Sequence, residues 1–384
     1  MGGGVIGSAI ACFLQNHPRF NGTVTVLEPD PTYRYAATPR SAGGIRHQFQ
    51  ATVNIQASLF ATRFVSDPGQ FIKTRRQASD LAFNQSGYLT LASDSGQELI
   101  ERNVARQQNL GAAIELMDSQ TLANRYSWLN TEDLCAAAVG LKGEGWIDPH
   151  SLLVLFRESA VDLGACYQKA RAVAIDCQAN TIKSVSCDDG KTIHGDIFIN
   201  ASGCDAADVC NLLGLADLPV RKRKRLVFVF DCRTPPTTCP LVVDPCGLYF
   251  RPEGSLFICG MSPPAELDHD CDDFEIDYDW FDEVLWPKLA HRVPAFEEIK
   301  LTNAWAGHYD VNTFDHNALI GLHPDMANFY LANGFSGHGL QQSPACGRGL
   351  AELIVDGRYT TLDLGTLRPS RIRDGCRIIE SQIV

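Results

Sequence analysis

The first 28 residues constrain this chain more than any other stretch. Gly2, Gly4 and Gly7 form G-x-G-x-x-G, and the small and apolar residues that follow, Ser8 to Leu14, have helical spacing. A β-branched run, Thr23 to Leu27, then ends in the acid Glu28, 21 residues after Gly7. Glycines, helix, strand and terminal acid in this order predict a dinucleotide-binding βαβ unit. Glycine allows the tight turn and the close approach of backbone to a pyrophosphate. The helix start offers unpaired N–H groups and a positive dipole end. Glu28 can accept from ribose hydroxyls. The first strand of such a unit should precede Gly2, and only Met1 stands there. The chain therefore reads as shortened or as given a misplaced start. A unit without that strand is expected to lose central sheet pairing, and with it stability and cofactor affinity.

At 384 residues the chain is long enough for two or three domains, and for a core that needs no disulfide or metal. With 45% hydrophobic and 20% charged residues it reads as a soluble globular protein. No apolar run is long enough to span a membrane, and no secretory signal is legible. The 14 cysteines show no C-x-x-C pair or zinc spacing. Most are expected to be small core residues in a reducing compartment. That points to the cytoplasm, or to a mitochondrion if a targeting segment preceded Met1. A net charge of −12 disfavours nucleic-acid binding. Ten of the acids fall between Glu266 and Glu283. This stretch alternates like a calcium loop, but Asp273 sits where that loop needs glycine, so a surface segment is expected. Arg221 to Arg225 are five basic residues in a row, read as a solvated charge run unless Arg225 reaches a pocket.

Further along, Ala170–Cys177 and Thr181–Cys187 alternate like a hairpin. Asp196 to Gly203 is a continuous apolar strand ending in small residues, the pattern of a buried parallel strand. Tyr249 and Arg251 alternate in a predicted strand and share one face. Gly334 to Gln342 is a second glycine-rich strand–loop–helix element, whose helix start could hold another polar part of a large cofactor.

Seven pieces spread in order over nearly the whole chain resemble the FAD-dependent oxidoreductases of the D-amino-acid oxidase superfamily. They are GGGVIGSAIACFL, TVLEPD, RSAGGIRHQF, GWIDPHSLL, IFINASG, GLYFRPEG and NTFDHNALIGLHPDMANFYLANGFSGHGLQQSPACGRGLAELI. The branch is that of sarcosine oxidase, glycine oxidase and dimethylglycine dehydrogenase. The resemblance implies an α/β (α+β) fold: a Rossmann-like FAD-binding domain of residues 1–55, 145–215 and 310–384, and a mixed-sheet substrate domain of residues 56–144 and 216–309. It implies FAD, with Gly2, Gly4 and Gly7 at the pyrophosphate and Glu28 at the ribose. Ser41, Ala42 and Gly43 would run beside pyrophosphate and flavin, Val173 would meet the adenine, and Ala201 and Gly203 would close the crevice. Gly337, His338, Gly339 and Gln341 would line the flavin ring.

The same resemblance makes Arg46, Tyr249 and Arg251 candidates for holding a substrate carboxylate, with His338 and Gln341 beside the reacting centre. His47 would point away from Arg46. Two departures stand out. His308 occupies the place of a cysteine that binds flavin covalently in monomeric sarcosine oxidase, and Gln341 the place of a carboxylate-binding lysine. The implied reaction is oxidation of the C–N bond of an amino acid or secondary amine. A hydride passes to flavin N5 and leaves an imine that hydrolyses. Electrons then go to oxygen or to a redox carrier. The competing expectations are a dehydrogenase serving a quinone or a protein acceptor, and a flavin-binding assembly or interaction protein without catalysis.

Overall fold

The computed structural model describes residues 1–215 and 218–380. Helix α1 (Val5–Asn16) starts directly after the glycines and is buried from Val5 almost to its end. It lies against α3 (Pro149–Asp162) and α4 (Gly339–Asp356), with α2 (Thr52–Ser66) packed on α4. Gly347 sets the closeness of the α1–α4 crossing, because a Cβ there would come within 2.9 Å of Ala9 Cβ. Phe13, Phe64 and Phe156 meet beneath it with ring centroids 5.1–6.1 Å apart.

The parallel sheet beside these helices is in two pieces. Strand β1 (Thr25–Leu27) pairs with Cys166–Gln168, and β2 (Phe198–Asn200) pairs with Phe329–Asn333. Met1 and Gly2 lie between the pieces: Gly2 N donates to Leu27 O, the Met1 amine donates to Ile199 O, and Ala201 N donates to Met1 O, each at 2.9 Å. Met1 and Gly2 thus bridge the two pieces by backbone bonds where the first strand is expected. The hairpin Ala172–Gln178/Thr181–Cys187 closes through Ala179 and Asn180 at φ of 46° and 59°, as a tight turn between twisted strands requires.

An eight-stranded mixed sheet forms the other half. Its long members are β3 (Val220–Cys232) and β5 (Ile299–Asn312), paired antiparallel; Leu256–Gly260 and β4 (Tyr249–Glu253) follow. The sheet continues through Leu241–Val243, Tyr88–Ala92, Ala136–Gly140 and Ile114–Asp118. Phe228, Phe230, Phe250, Phe257 and Phe296 fill the core on its far face. Alternation then turns Tyr249 and Arg251 to the other face.

Two expectations change here. The basic run is a sheet strand, not a solvated face. Strand β3 pairs with Leu256–Gly260 only over Phe228–Phe230, so its edge is open before that. The acidic segment takes the open edge: Cys271 N donates to Lys222 O at 3.3 Å, and Asp270 bridges to Arg223. Ion pairs join Lys222 to Asp272, Arg223 to Asp270, Lys224 to Asp273 and Arg225 to Asp268. An unpaired edge and complementary charge explain the docking. The cysteines are free thiols, only half of them buried. Among the described residues no helix is long and apolar enough to cross a membrane.

Candidate functional site

A cavity of ≈ 730 Å³ runs between the helix starts and the inner face of the large sheet. The glycine turn forms one end. Gly2 has φ of 93°, and a Cβ on it would come within 2.6 Å of the Ala201 carbonyl carbon. A Cβ on Gly7 would overlap the Gly2 carbonyl, whereas one on Gly4 would meet only Thr38 Oγ1, at 3.6 Å. Gly2 and Gly7 thus close the turn, while Gly4 leaves backbone bare to the cavity. Gly7 itself does not line it. Glu28 lines the same end, accepting from Gly3 N at 2.8 Å and Asp30 N at 2.9 Å, and burial raises its carboxyl above the usual range. Ala201 and Gly203 also line it.

The hairpin reaches the cavity through Ala170–Ala172, not Val173. A bulge between Ala172 and Ala174 leaves Val173 without a cross-strand partner and turns it outward, 47% exposed.

Midway, Ser41 and Ala42 line the wall, and Gly43 sits behind them, its carbonyl accepting from Ile147 N at 2.9 Å. Arg251 is not a wall residue. Its Nε and Nη2 donate to Ala42 O at 3.0 and 2.8 Å, its guanidinium lies over Trp146, and it pairs with Glu253. The side chain shares a face with Tyr249, as expected, but it is long enough to reach the loop and is held there.

At the far end, α4 begins beyond Gly337 and His338, both at the wall with Gly339 and Gln341. Asp310 fixes the loop before it, accepting from Gly334 N at 2.6 Å and Phe335 N at 3.2 Å; burial pushes its carboxyl up to about 6. His338 Nε2 lies 3.3 Å from Arg46 Nη2. Burial and the Arg46 charge hold this histidine well below its ordinary pKa, so it is neutral and accepts from the guanidinium. Gln341 Oε1 accepts from Arg46 N at 2.9 Å and Ser58 Oγ at 3.3 Å, so it positions the Arg46 backbone. The Arg46 guanidinium lies over Phe49 and Tyr88.

His47 points away and binds Thr62 Oγ1 at 2.7 Å; burial pushes its pKa down to about 4. Behind it the fully buried Glu144 accepts from His47 N and from Gln48 Nε2, and burial pushes its carboxyl up to about 8.

Tyr88, Tyr249 and Tyr309 complete the chamber, with Val227 and Leu241 as its apolar part. Tyr88 and Tyr309 lie in strands whose residues carry no sequence signal for a site. His308 also lines the cavity, its Nε2 2.8 Å from Asp273 O and its ring against Phe274. The acidic segment, expected only as surface, thus contributes Asp272 and Phe274 to the wall.

The arrangement suits a large ligand with an anionic middle. Two helix starts face the cavity, a bare glycine backbone lies at one, and an aromatic and cationic chamber lies at the other. The family described as FAD dependent oxidoreductase matches residues 1–353. FAD-dependent oxidoreductase domain-containing protein 1 of Xenopus laevis is 39% identical, over 100% of this chain and 84% of that protein. Glycine oxidase of Geobacillus kaustophilus is 24% identical over 97% of this chain and 96% of its own length. The crystal structure of L-proline dehydrogenase from P. horikoshii superposes with a TM-score of 0.85 at 25% identity, covering 98% of this chain and 97% of that one. The chain belongs to the family of FAD-dependent oxidoreductases, and FAD is its cofactor.

Proposed function

We propose that this protein oxidises the C–N bond of a small amino acid or secondary amine. The observation that carries the reading is the chamber at the start of α4, where Arg46, Tyr88 and Tyr249 face one space. Gly2, Gly4 and the start of α1 would hold the pyrophosphate, Glu28 the ribose, and residues 337–341 the flavin ring. When bound, the flavin supplies the two-electron acceptor.

The chain's own residues bind, orient and exclude water. The Arg46 guanidinium puts a fixed positive charge at the chamber wall, the sign a carboxylate needs. Neutral His338 accepts from Arg46 without placing a second charge beside it. Burial keeps the Tyr249 phenol protonated, so its hydroxyl orients a ligand and does not abstract a proton. Val227 and Leu241 keep the reacting end dry. Gln341 brings no charge, so the carboxylate is held from the Arg46 side. The names glycine oxidase and L-proline dehydrogenase among its relatives fit a small amino-acid substrate.

The test is an anaerobic absorbance titration with N-methyl, D- and L-amino acids. Bleaching of the flavin by one of them sustains the proposal. Peroxide on readmitting air then marks an oxidase, and its absence a dehydrogenase. A flavin that dithionite bleaches and no amine does would overturn the proposal in favour of a non-catalytic flavoprotein.

A further inference from the structure

The chamber contains a second guanidinium whose charge is already matched. Arg225 lines the cavity, lies over the Tyr309 ring at 4.6 Å, and donates from Nε to Ser262 Oγ at 3.0 Å. Its two terminal nitrogens donate to the two carboxylate oxygens of Asp268 at 2.7 and 2.8 Å. Both side chains of this pair are about one-fifth exposed.

Asp268 reaches the chamber margin from the acidic segment. Three further pairs seat that segment on β3: Asp270 with Arg223, Asp272 with Lys222 at 2.9 Å, and Asp273 with Lys224 at 2.6 Å. Phe274 packs between Tyr35 and His308, with Arg40 over its ring. The position of Asp268 therefore does not depend on its own ion pair. Arg225 is likewise fixed by Ser262 and Tyr309, and would stay in place opposite a neutral residue 268.

We propose that Asp268 is a specificity-determining residue: it cancels Arg225, so the chamber takes an amino acid with an apolar substituent and refuses one with a second carboxylate. The inference rests on the reading of Arg46 as the holder of the substrate's first carboxylate. A ligand with a second carboxylate near Arg225 must either break the two-bond pair with Asp268, leaving that carboxylate only the more distant Arg223 at 3.8 Å, or lie beside it as a like charge. Both are unfavourable, and rejection by repulsion is a common source of selectivity. A methyl or methylene group brings no charge and leaves the Arg225–Asp268 pair intact.

Valerate and glutarate are probes of equal chain length that cannot be oxidised at a C–N bond. Their binding to the FAD-loaded protein is read by calorimetry and by perturbation of the flavin spectrum. The wild-type protein should prefer valerate. Asp268→Asn should raise glutarate affinity by about 10-fold or more, the worth of one charge-assisted hydrogen bond, and change valerate by less than about 3-fold. Adding Arg225→Gln should abolish the gain. Asp273→Asn, which removes the pair with Lys224 in the same segment and outside the cavity, should not reproduce it.

Unchanged glutarate affinity in Asp268→Asn, an equal gain for both probes, or the same gain in Asp273→Asn would each overturn the inference. The last would assign the effect to a loosened segment. A selective glutarate gain in a protein whose flavin no amino acid reduces would sustain the inference and overturn the proposed reaction.

Discussion

Replacing Arg251 by Met separates two roles that one residue could have. In the structure its guanidinium spends two donors on Ala42 O, at 3.0 and 2.8 Å, and so fixes the loop whose Ser41 and Ala42 line the cavity. Met fills much of the same volume over Trp146 but makes neither bond. The lost pair with Glu253 matters little, because that carboxylate is 54% exposed. Hydrogen bonds from a charged donor contribute about 1.5–3 kcal/mol. If loosening the loop transmits that loss to cofactor binding, FAD affinity should fall roughly 10- to 100-fold. The assay is quenching of FAD fluorescence as apoprotein is added. On FAD-saturated variant, valerate affinity should stay within about 3-fold of wild type. The opposite pattern, FAD affinity intact and valerate affinity down 10-fold or more, would refute the argument and return Arg251 to the ligand.

Three further outcomes are expected. Gly7→Ala places a methyl on the Gly2 carbonyl, and should cost about 1–3 kcal/mol in urea unfolding as well as weakening FAD binding. The buried His47 is neutral in the fold down to about pH 4 but titrates near 6.5 when unfolded, so acid protonates the unfolded chain first. Stability is then lost as pH falls from 6.5 towards 4, by roughly 3 kcal/mol, and His47→Gln should flatten a denaturation series over that window. Raising salt from 0.05 to 0.5 M screens the four pairs between β3 and the acidic segment, and limited proteolysis should cut between residues 265 and 277 several-fold faster.

The sequence carries its local elements well. The glycine turn, α1, β1 and Glu28 form one contiguous unit whose spacing is short-range, and the structure keeps that order. The hairpin and the second glycine-rich element are legible for the same reason. What failed depends on partners distant in the chain. Val173 is displaced by a bulge that no periodicity shows. The basic and acidic runs, read apart, lie more than 40 residues from each other and meet only because β3 has an open edge. Asp310 and Tyr309 sit in a 14-residue strand whose alternation is broken by a register shift at Thr302, which hides its length. Tyr88 becomes a wall residue only because its strand neighbours Leu241 in the assembled sheet. A strand pattern says which residues share a face, and the fold decides what that face looks at.

Strands β3 and β5 form a ribbon of 13 partnered positions, from Val220 opposite Asn312 to Cys232 opposite Ile299. At one end Asp310 and Asn312 bind the loop that precedes α4; at the other, Phe228 and Phe230 are sunk in the distant core. Opening the molecule like a jaw would mean bending this ribbon and breaking its ladder. Its stiffness therefore assigns motion elsewhere, to the segment of residues 265–277 seated on its edge. Amide hydrogens of β3 that bond to β5 should be among the last to exchange, those on its open edge before Phe228 earlier, and a ligand should enter through a shifting border while the two halves keep their relative orientation.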